Sequence, residues 1–408
     1  MLFKSTDIND TQSVSVLESI IKPLPDLENV WIPATALPVV LNDSSLTYEQ
    51  TLYKIASIFL KEISIDIDQL CKRTIRSSTP TISRDSDKVL IDLCRGPCGT
   101  SADLCSRFIV SLCTELLGKC NYRFLTSTTG DNGCAIANAC TELQGSLPAT
   151  ILYPGTRIPV ERYDQLHNFE DNEYRVVTIA HSGDYNNCYN AFLQLLSQQH
   201  GRYIAANSVN FLYLIPMIAY YAWIAMECPG QDVFIPAGVC SELLAALTAK
   251  AMGAPLGHLH CTDGPNDFIR QYLRGETNNM QNKDTEPSIA PYLDVSFSPN
   301  ILRIQAMFLR DSVDHNELSK HLTCHPASDN DSVEKIMSQL SLDTLSAMSC
   351  ITSIFSARVL KPVIPLLTKQ GITKPPATTF CESINNFSET SIKKSIILIG
   401  MPGSGKTT

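Results

Sequence analysis

From Val89 onward the chain alternates short apolar runs with amphipathic stretches, and this alternation limits what it can fold into. "VLIDL" at 89–93 predicts a strand. "ADLCSRFIVSLCTELLG" predicts a helix with Leu104, Phe108, Leu112 and Leu116 on one face and Gly118 as its stop. "YRFLTSTTGDNG" is a strand opening into a glycine turn, and "CAIANACTEL" is the next helix. Strands "ATILYP" and "YRVVTIA", helix "YNNCYNAFLQLLSQQ", strand "DVFIPAG", helix "ELLAALTAKAMG" and strand "LGHLHCT" follow. Strands that alternate with helices pair in parallel, so the expected class is α/β with a largely parallel sheet covered by helices. Ligands of such sheets sit beyond the carboxyl ends of the strands. The loops 94–103, 128–133 and 237–242 are therefore expected to face one crevice.

Residues 1–88 read as a mixed region, with a strand and turn in "NVWIPATALP" and a helix in "YEQTLYKIASIFLKEI". The stretch "FLYLIPMIAYYAWIAM", 211–226, carries no charge. It falls short of the roughly 20 residues a bilayer helix needs and contains Pro216, so a buried helix is expected rather than a membrane span. The net charge of −9 and the lack of any basic run argue against nucleic acid as a partner. Fifteen cysteines without a CxxC pair, after the polar opening "MLFKSTDINDTQ", predict reduced thiols and a cytoplasmic protein. His258, His260 and Cys261, like His321, Cys324 and His325, lack structural-zinc spacing, and no metal is expected there.

Residues 379–394, including "CESINNFSETSIKK", are polar and aperiodic and read as a linker after a body spanning 89–378. The apolar strand "SIILIG" then runs into "MPGSGKTT". Gly400, Gly405, Lys406 and Thr407 fit G-x-x-x-x-G-K-[ST], with Gly403 inside the loop. In that motif glycines let backbone N–H groups wrap phosphates, lysine reaches the β and γ phosphates, and the hydroxyl holds magnesium. Residues 395–408 are similar to the opening of shikimate-kinase-like small-molecule kinases. The resemblance implies the first strand and loop of a truncated kinase domain in a longer chain. ATP, and Mg on Thr407, would belong only to the complete domain.

The body carries a second resemblance. "FKSTD", "NVWIPATALP", "TSTTGDNGCAIA", "LYPGTRIPVERYDQL", "NSVNFLYLIPMIAYY", "AKAMGAPLGHLHCTDGPNDFIRQYLRGE" and "APYLDVSFSPNILR" resemble, in colinear order, the signature strings of the threonine synthases. That implies pyridoxal-phosphate (PLP) fold type II, tryptophan-synthase-β-like, with largely parallel sheets in two lobes. It also implies PLP as cofactor and a lyase converting O-phosphohomoserine to threonine and phosphate.

The chemistry departs from the family. The family's PLP lysine lies in H-G-P-T-x-A-F-K-D; here the string is Arg95-Gly96-Pro97-Cys98-Gly99-Thr100-Ser101-Ala102-Asp103. Ala102 stands at the lysine position, and a methyl group can neither form the Schiff base nor shuttle protons. Covalent PLP is therefore not expected. Lys88 and Lys119 lie too far away to substitute. The phosphate cup G-N-F-G-[DN] has become Gly238-Val239-Cys240-Ser241-Glu242, and the arginine and glutamine of the N-S-I-N-W-A-R-I helix have become Tyr213 and Met217. Of T-A-H-P-A-K-F only Thr368 remains.

The retained residues are Asp103, Thr128, Thr129, Gly130, Asp131, Asn132, Gly133, Asn207, Ser208, Asn210, Gly238 and Thr368. Either they form turns and caps that any copy of the fold needs, or they still hold a small molecule. Three functions stay open. One is a non-catalytic threonine-synthase-like domain ahead of a kinase in the same chain. Another is an active threonine synthase. The last is shikimate-kinase-type phosphoryl transfer by the longer protein. The oligomeric state is not fixed by the sequence.

Overall fold

The structure is a computed structural model and describes residues 1–39, 46–76, 78–85, 88–93, 95–118, 120–143, 145–169, 175–198, 202–236, 238–263, 266–276, 284–286, 294–309, 322–326 and 395–399. At the amino end β1 (Leu2–Ser5) pairs antiparallel with β2 (Ser13–Ser15) and β3 (Trp31–Pro33). Helix α1 (Val16–Ile21) starts from a reciprocal cap between Ser15 and Glu18. Helix α2 (Tyr48–Leu60) starts the same way from Thr47 and Gln50. Helix α3 (Ile67–Ile75) is capped by Asp66. These caps satisfy N–H groups that a helix leaves unpaired in its first turn.

Two parallel sheets make the body. The first has the order β8-β7-β6-β9, from β6 (Arg123–Ser127), β7 (Ala149–Pro154), β8 (Val176–His181) and β9 (Tyr203–Ala205). Helices α5 (Asp131–Glu142), α6 (Val160–His167) and α7 (Tyr185–Gln198) link them. Every residue of β7 is buried, as expected of a central strand covered on both faces. The short β9 was not anticipated; three residues are too few to show a period.

The second sheet contains β4 (Thr81–Asp85), β5 (Lys88–Asp92), β10 (Asp232–Pro236), β11 (Leu259–Asp263), β12 (Leu322–Pro326) and β13 (Ser395–Ile399). Their order is β12-β11-β10-β13-β5-β4, parallel except for the antiparallel edge pair β4–β5. It is joined by α4 (Ala102–Leu117), α8 (Ile215–Glu227), α9 (Ser241–Ala251), α10 (Phe268–Leu273) and α11 (Pro299–Ile304). Helix α4 ends at Gly118, whose φ of 56° suits a glycine stop.

The charge-free stretch forms a 3-10 turn, Phe211–Leu214, followed by α8, and every residue from Phe211 to Ala225 is buried. A helix apolar all round belongs inside a core, and α8 packs against α2, α4 and α9. The Tyr48 hydroxyl donates to the Pro216 carbonyl at 3.2 Å, fastening α2 to the start of α8. Among the described residues no helix is long and apolar enough to cross a membrane.

One placement differs from expectation. Ser395–Ile399, read above as the first strand of a separate kinase domain, pairs in parallel with β10 on one side and β5 on the other. It lies within the body's own sheet. The physical reason is that an Ile/Leu run suits any strand covered on both faces, whichever sheet it completes. Gly400, Gly403, Gly405, Lys406 and Thr407 lie outside the described residues, as do Thr368 and the proposed linker.

Candidate ligand crevice

The three predicted loops meet. Ala102 at the start of α4, Ser127–Thr129 with Asp131 and Asn132 after β6, and Val239 with Ser241 after β10 line one crevice. Asn207, Ser208 and Val209 after β9, Tyr185 and Tyr189 of α7, Tyr213, Met217, Val295, Phe297 and Pro299 complete it. It encloses about 710 Å³ of non-atom space, its open mouth included.

The turn after β6 is held by its own side chains. Thr128 Oγ1 accepts from the N–H groups of Gly130 at 2.9 Å and Gly133 at 3.0 Å. A Cβ on Gly133 would lie 2.6 Å from Thr128 Cγ2, which is why this position takes no side chain. Gly130 has φ 137°, open to glycine, and packs on Arg162. Asp131 pairs with Arg162 Nε at 2.5 Å, and Arg162 Nη1 donates to the Cys98 carbonyl at 2.8 Å. Arg162 thus ties this turn to the loop before α4.

Asn132 Nδ2 donates to Thr126 Oγ1 at 2.7 Å and the Ala206 carbonyl at 3.0 Å, while its Oδ1 accepts from the Tyr213 hydroxyl at 2.6 Å. Tyr213, where the family carries an arginine, therefore braces the crevice wall. Asn207 Oδ1 accepts from Val209 N–H at 3.0 Å, and Asn210 Oδ1 caps the 3-10 turn through Leu212 N–H at 3.1 Å. Ser208 Oγ accepts from Asn300 Nδ2 at 2.9 Å.

Asp103 points back into the loop that precedes it. Its carboxylate accepts from the N–H groups of Cys98 at 3.0 Å and Thr100 at 3.3 Å. Gly96 lets it close in, because a Cβ there would meet its Oδ2 at 2.3 Å. Burial pushes the Asp103 carboxyl up to about 6, against the opposing pull of Thr100, Cys98 and Arg162. The loop after β10 turns through left-handed backbone at Gly238 (φ 42°) and Cys240 (φ 58°). Glu242, the cup's last residue, is fully buried with its carboxylate turned inward. It accepts from Ser101 Oγ at 3.3 Å and from the Tyr220 hydroxyl. Burial pushes it up to about 7, with Tyr220, Ser101 and Tyr221 opposing.

Of the retained residues, Thr128, Thr129, Asp131, Asn132, Asn207 and Ser208 line the crevice. Asp103, Gly130, Gly133, Asn210 and Gly238 shape the loops behind it. Lys88 begins β5, at the end of the strand away from the crevice, and Lys119 lies outside the described residues. The sequence reading missed Ser127, Tyr185, Tyr189 and Phe297 as lining residues and Arg162 as the partner of Asp131. Tyr185 and Tyr189, four apart at the head of a helix, share a face and carried a readable signal.

No protein-family profile matches the chain. Threonine synthase of Escherichia coli is 26% identical over 298 residues, 70% of this chain and 67% of that protein. The Saccharomyces cerevisiae threonine synthase is 24% identical over 342 residues, covering 74% and 65%. Threonine synthase-like 1 of Homo sapiens is 23% identical over 304 residues, 68% of this chain but 41% of that protein. The crystal structure of the Escherichia coli threonine synthase superposes with a TM-score of 0.77 at 20% identity, covering 99% of this chain and 89% of that one. The chain has the threonine synthase fold. The PLP-bound threonine synthase from Brucella melitensis, at TM-score 0.72 and 15% identity over 98% and 88% of the two chains, shares it. In this threonine-synthase fold the crevice lies where β5, β6 and β10 end, and Ala102 is part of its wall.

Proposed function

We propose that this chain is a threonine-synthase-like domain without PLP catalysis, whose crevice serves as a small-molecule site within a longer protein. The observation that carries the reading is Ala102. It lines the crevice, is 2% exposed, and opens α4 where the resembling family has its Schiff-base lysine. Among the described residues lining the crevice there is no lysine. PLP catalysis by this fold needs an amine at that wall. The residues present do not fit covalently bound PLP, and no step is routed through it. The retained turn residues fit the same reading, since their side chains cap loops and brace walls.

The test is to mix the purified protein with PLP, reduce with borohydride and map modified lysines by mass spectrometry. No stoichiometric crevice adduct is expected; Ala102→Lys incubated with pyridoxal serves as the positive control. A single labelled crevice lysine in the unaltered chain, with Schiff-base absorbance before reduction, would restore the active threonine synthase reading.

The phosphate-binding motif at 400–407 supports a second activity, nucleotide binding and phosphoryl transfer to a small molecule in a longer chain. On this reading the crevice domain acts as scaffold or ligand-binding partner to a kinase. A longer reading frame without kinase sequence after Thr408 would remove that activity.

A further inference from the structure

Resting on the reading above, we propose that the crevice takes a small, net-neutral ligand bearing hydroxyl or amide groups and disfavours phosphorylated ones. Its lining supplies the first reason. Among the described lining residues Asp131 is the one that carries charge, and Arg162 holds it at 2.5 Å. The nearby guanidinium groups are aimed elsewhere. Arg162 also donates to the Cys98 carbonyl and Gln165, and Arg303 donates to the carbonyls of Trp31, Ser208 and Val209. A phosphate entering here meets no uncommitted side-chain cation among the described residues.

The second reason is Glu242. Its carboxyl group lies behind the cup, hydrogen-bonded by Ser101 at the start of α4 and carried on the first turn of α9. Helix amino termini favour an anion, and here a protein carboxyl already stands between two of them. A phosphate brought to the cup would further oppose ionisation of this buried carboxyl and would be repelled by it once ionised.

What stays open is neutral. Ser127 Oγ is buried without a hydrogen bond of good geometry and faces the Tyr185 hydroxyl. Asn207 uses its Oδ1 internally, and it lines the crevice together with Thr129 and Ser241. Tyr189 and Phe297 belong to the same lining. A buried hydroxyl whose hydrogen bond is poorly made costs up to about 1–3 kcal/mol, so this wall gains when a ligand's polar groups complete it.

The test is calorimetric titration with matched pairs that differ only by phosphate: pyridoxine against pyridoxine 5′-phosphate, and homoserine against O-phosphohomoserine. None of the four carries an aldehyde, so amine labelling does not intrude. At least one unphosphorylated member is expected to bind, with its phosphorylated counterpart at least tenfold weaker. Ser127→Ala and Thr129→Val should each weaken binding severalfold, and Glu242→Gln should narrow the gap within the pair. Equal or tighter binding of the phosphorylated member in both pairs, or binding by none of the four, overturns the proposal. A noncovalent preference for phosphate would leave the reading from Ala102 standing, whereas a borohydride-fixed crevice lysine would end both.

Discussion

Glu242 and Asp103 are carboxyl groups whose burial raises them above their ordinary values, to about 7 and about 6. In the unfolded chain both ionise near 4, so the unfolded state loses its protons first as pH rises. The stability contributed by these two groups is therefore full below about pH 4 and is lost as pH climbs through 6 and 7. At about 1.4 kcal/mol per unit, Glu242 alone accounts for a loss on the order of 3 kcal/mol by pH 8. Thermal melts of the unaltered chain at pH 5 and pH 8 should show this fall. Glu242→Gln, which cannot ionise, should shrink it; an equal pH dependence in both proteins would show that Glu242 is not the group responsible. Ala102 belongs to the same scale: it is one buried side chain at the first position of α4 and part of the crevice wall.

At the scale of elements, Arg303 on α11 links parts that no strand pairing connects. Its fully buried guanidinium donates to the Trp31 carbonyl at 2.9 Å and the Val209 carbonyl at 2.6 Å, to Ser208 and to Asn300 Oδ1, with the Phe211 ring 5.5 Å away. Burial lowers its pKa to about 9, against an opposing pull from Tyr189. Arg303→Met would leave several buried carbonyls without donors, at a cost of roughly 3–5 kcal/mol. In urea the midpoint should drop with the slope unchanged; a shift under 1 kcal/mol would mean that water replaces the guanidinium.

The helices and long strands of the body were legible because their periods are local. Helix α4 shows its apolar face at Leu104, Phe108 and Leu112, and α8 declares its burial by having no polar side. The crevice was legible as three converging loops, since strands that alternate with helices carry their loops to one end. The hydrogen bonds that decide what each retained residue does were not, because Asn132 meets Tyr213 and Asp131 meets Arg162 only through folding. The place of Ser395–Ile399 in the sheet was not legible for a related reason: an apolar run marks a strand but not its neighbours.

On the scale of the molecule, that strand joins two halves of a sheet. Without β13, the pair β4–β5 and the trio β10–β11–β12 share no strand hydrogen bonds. A chain ending at residue 394 should therefore unfold at lower urea concentration and aggregate more readily than the 408-residue chain, through newly exposed edges. An unchanged midpoint would mean that residues 395–399 belong to an independent unit after all.

The same arrangement bears on how the protein comes into being. β5 ends at Asp92, and its neighbour β13 begins at Ser395. A ribosome must make residues 93–394 between the two before the central gap can close, and contacts so distant along the chain form slowly. Until then the nascent protein holds two open strand edges in water, a state prone to off-pathway association. Its yield in a cell would depend on what shelters those edges during translation as much as on the stability of the finished fold.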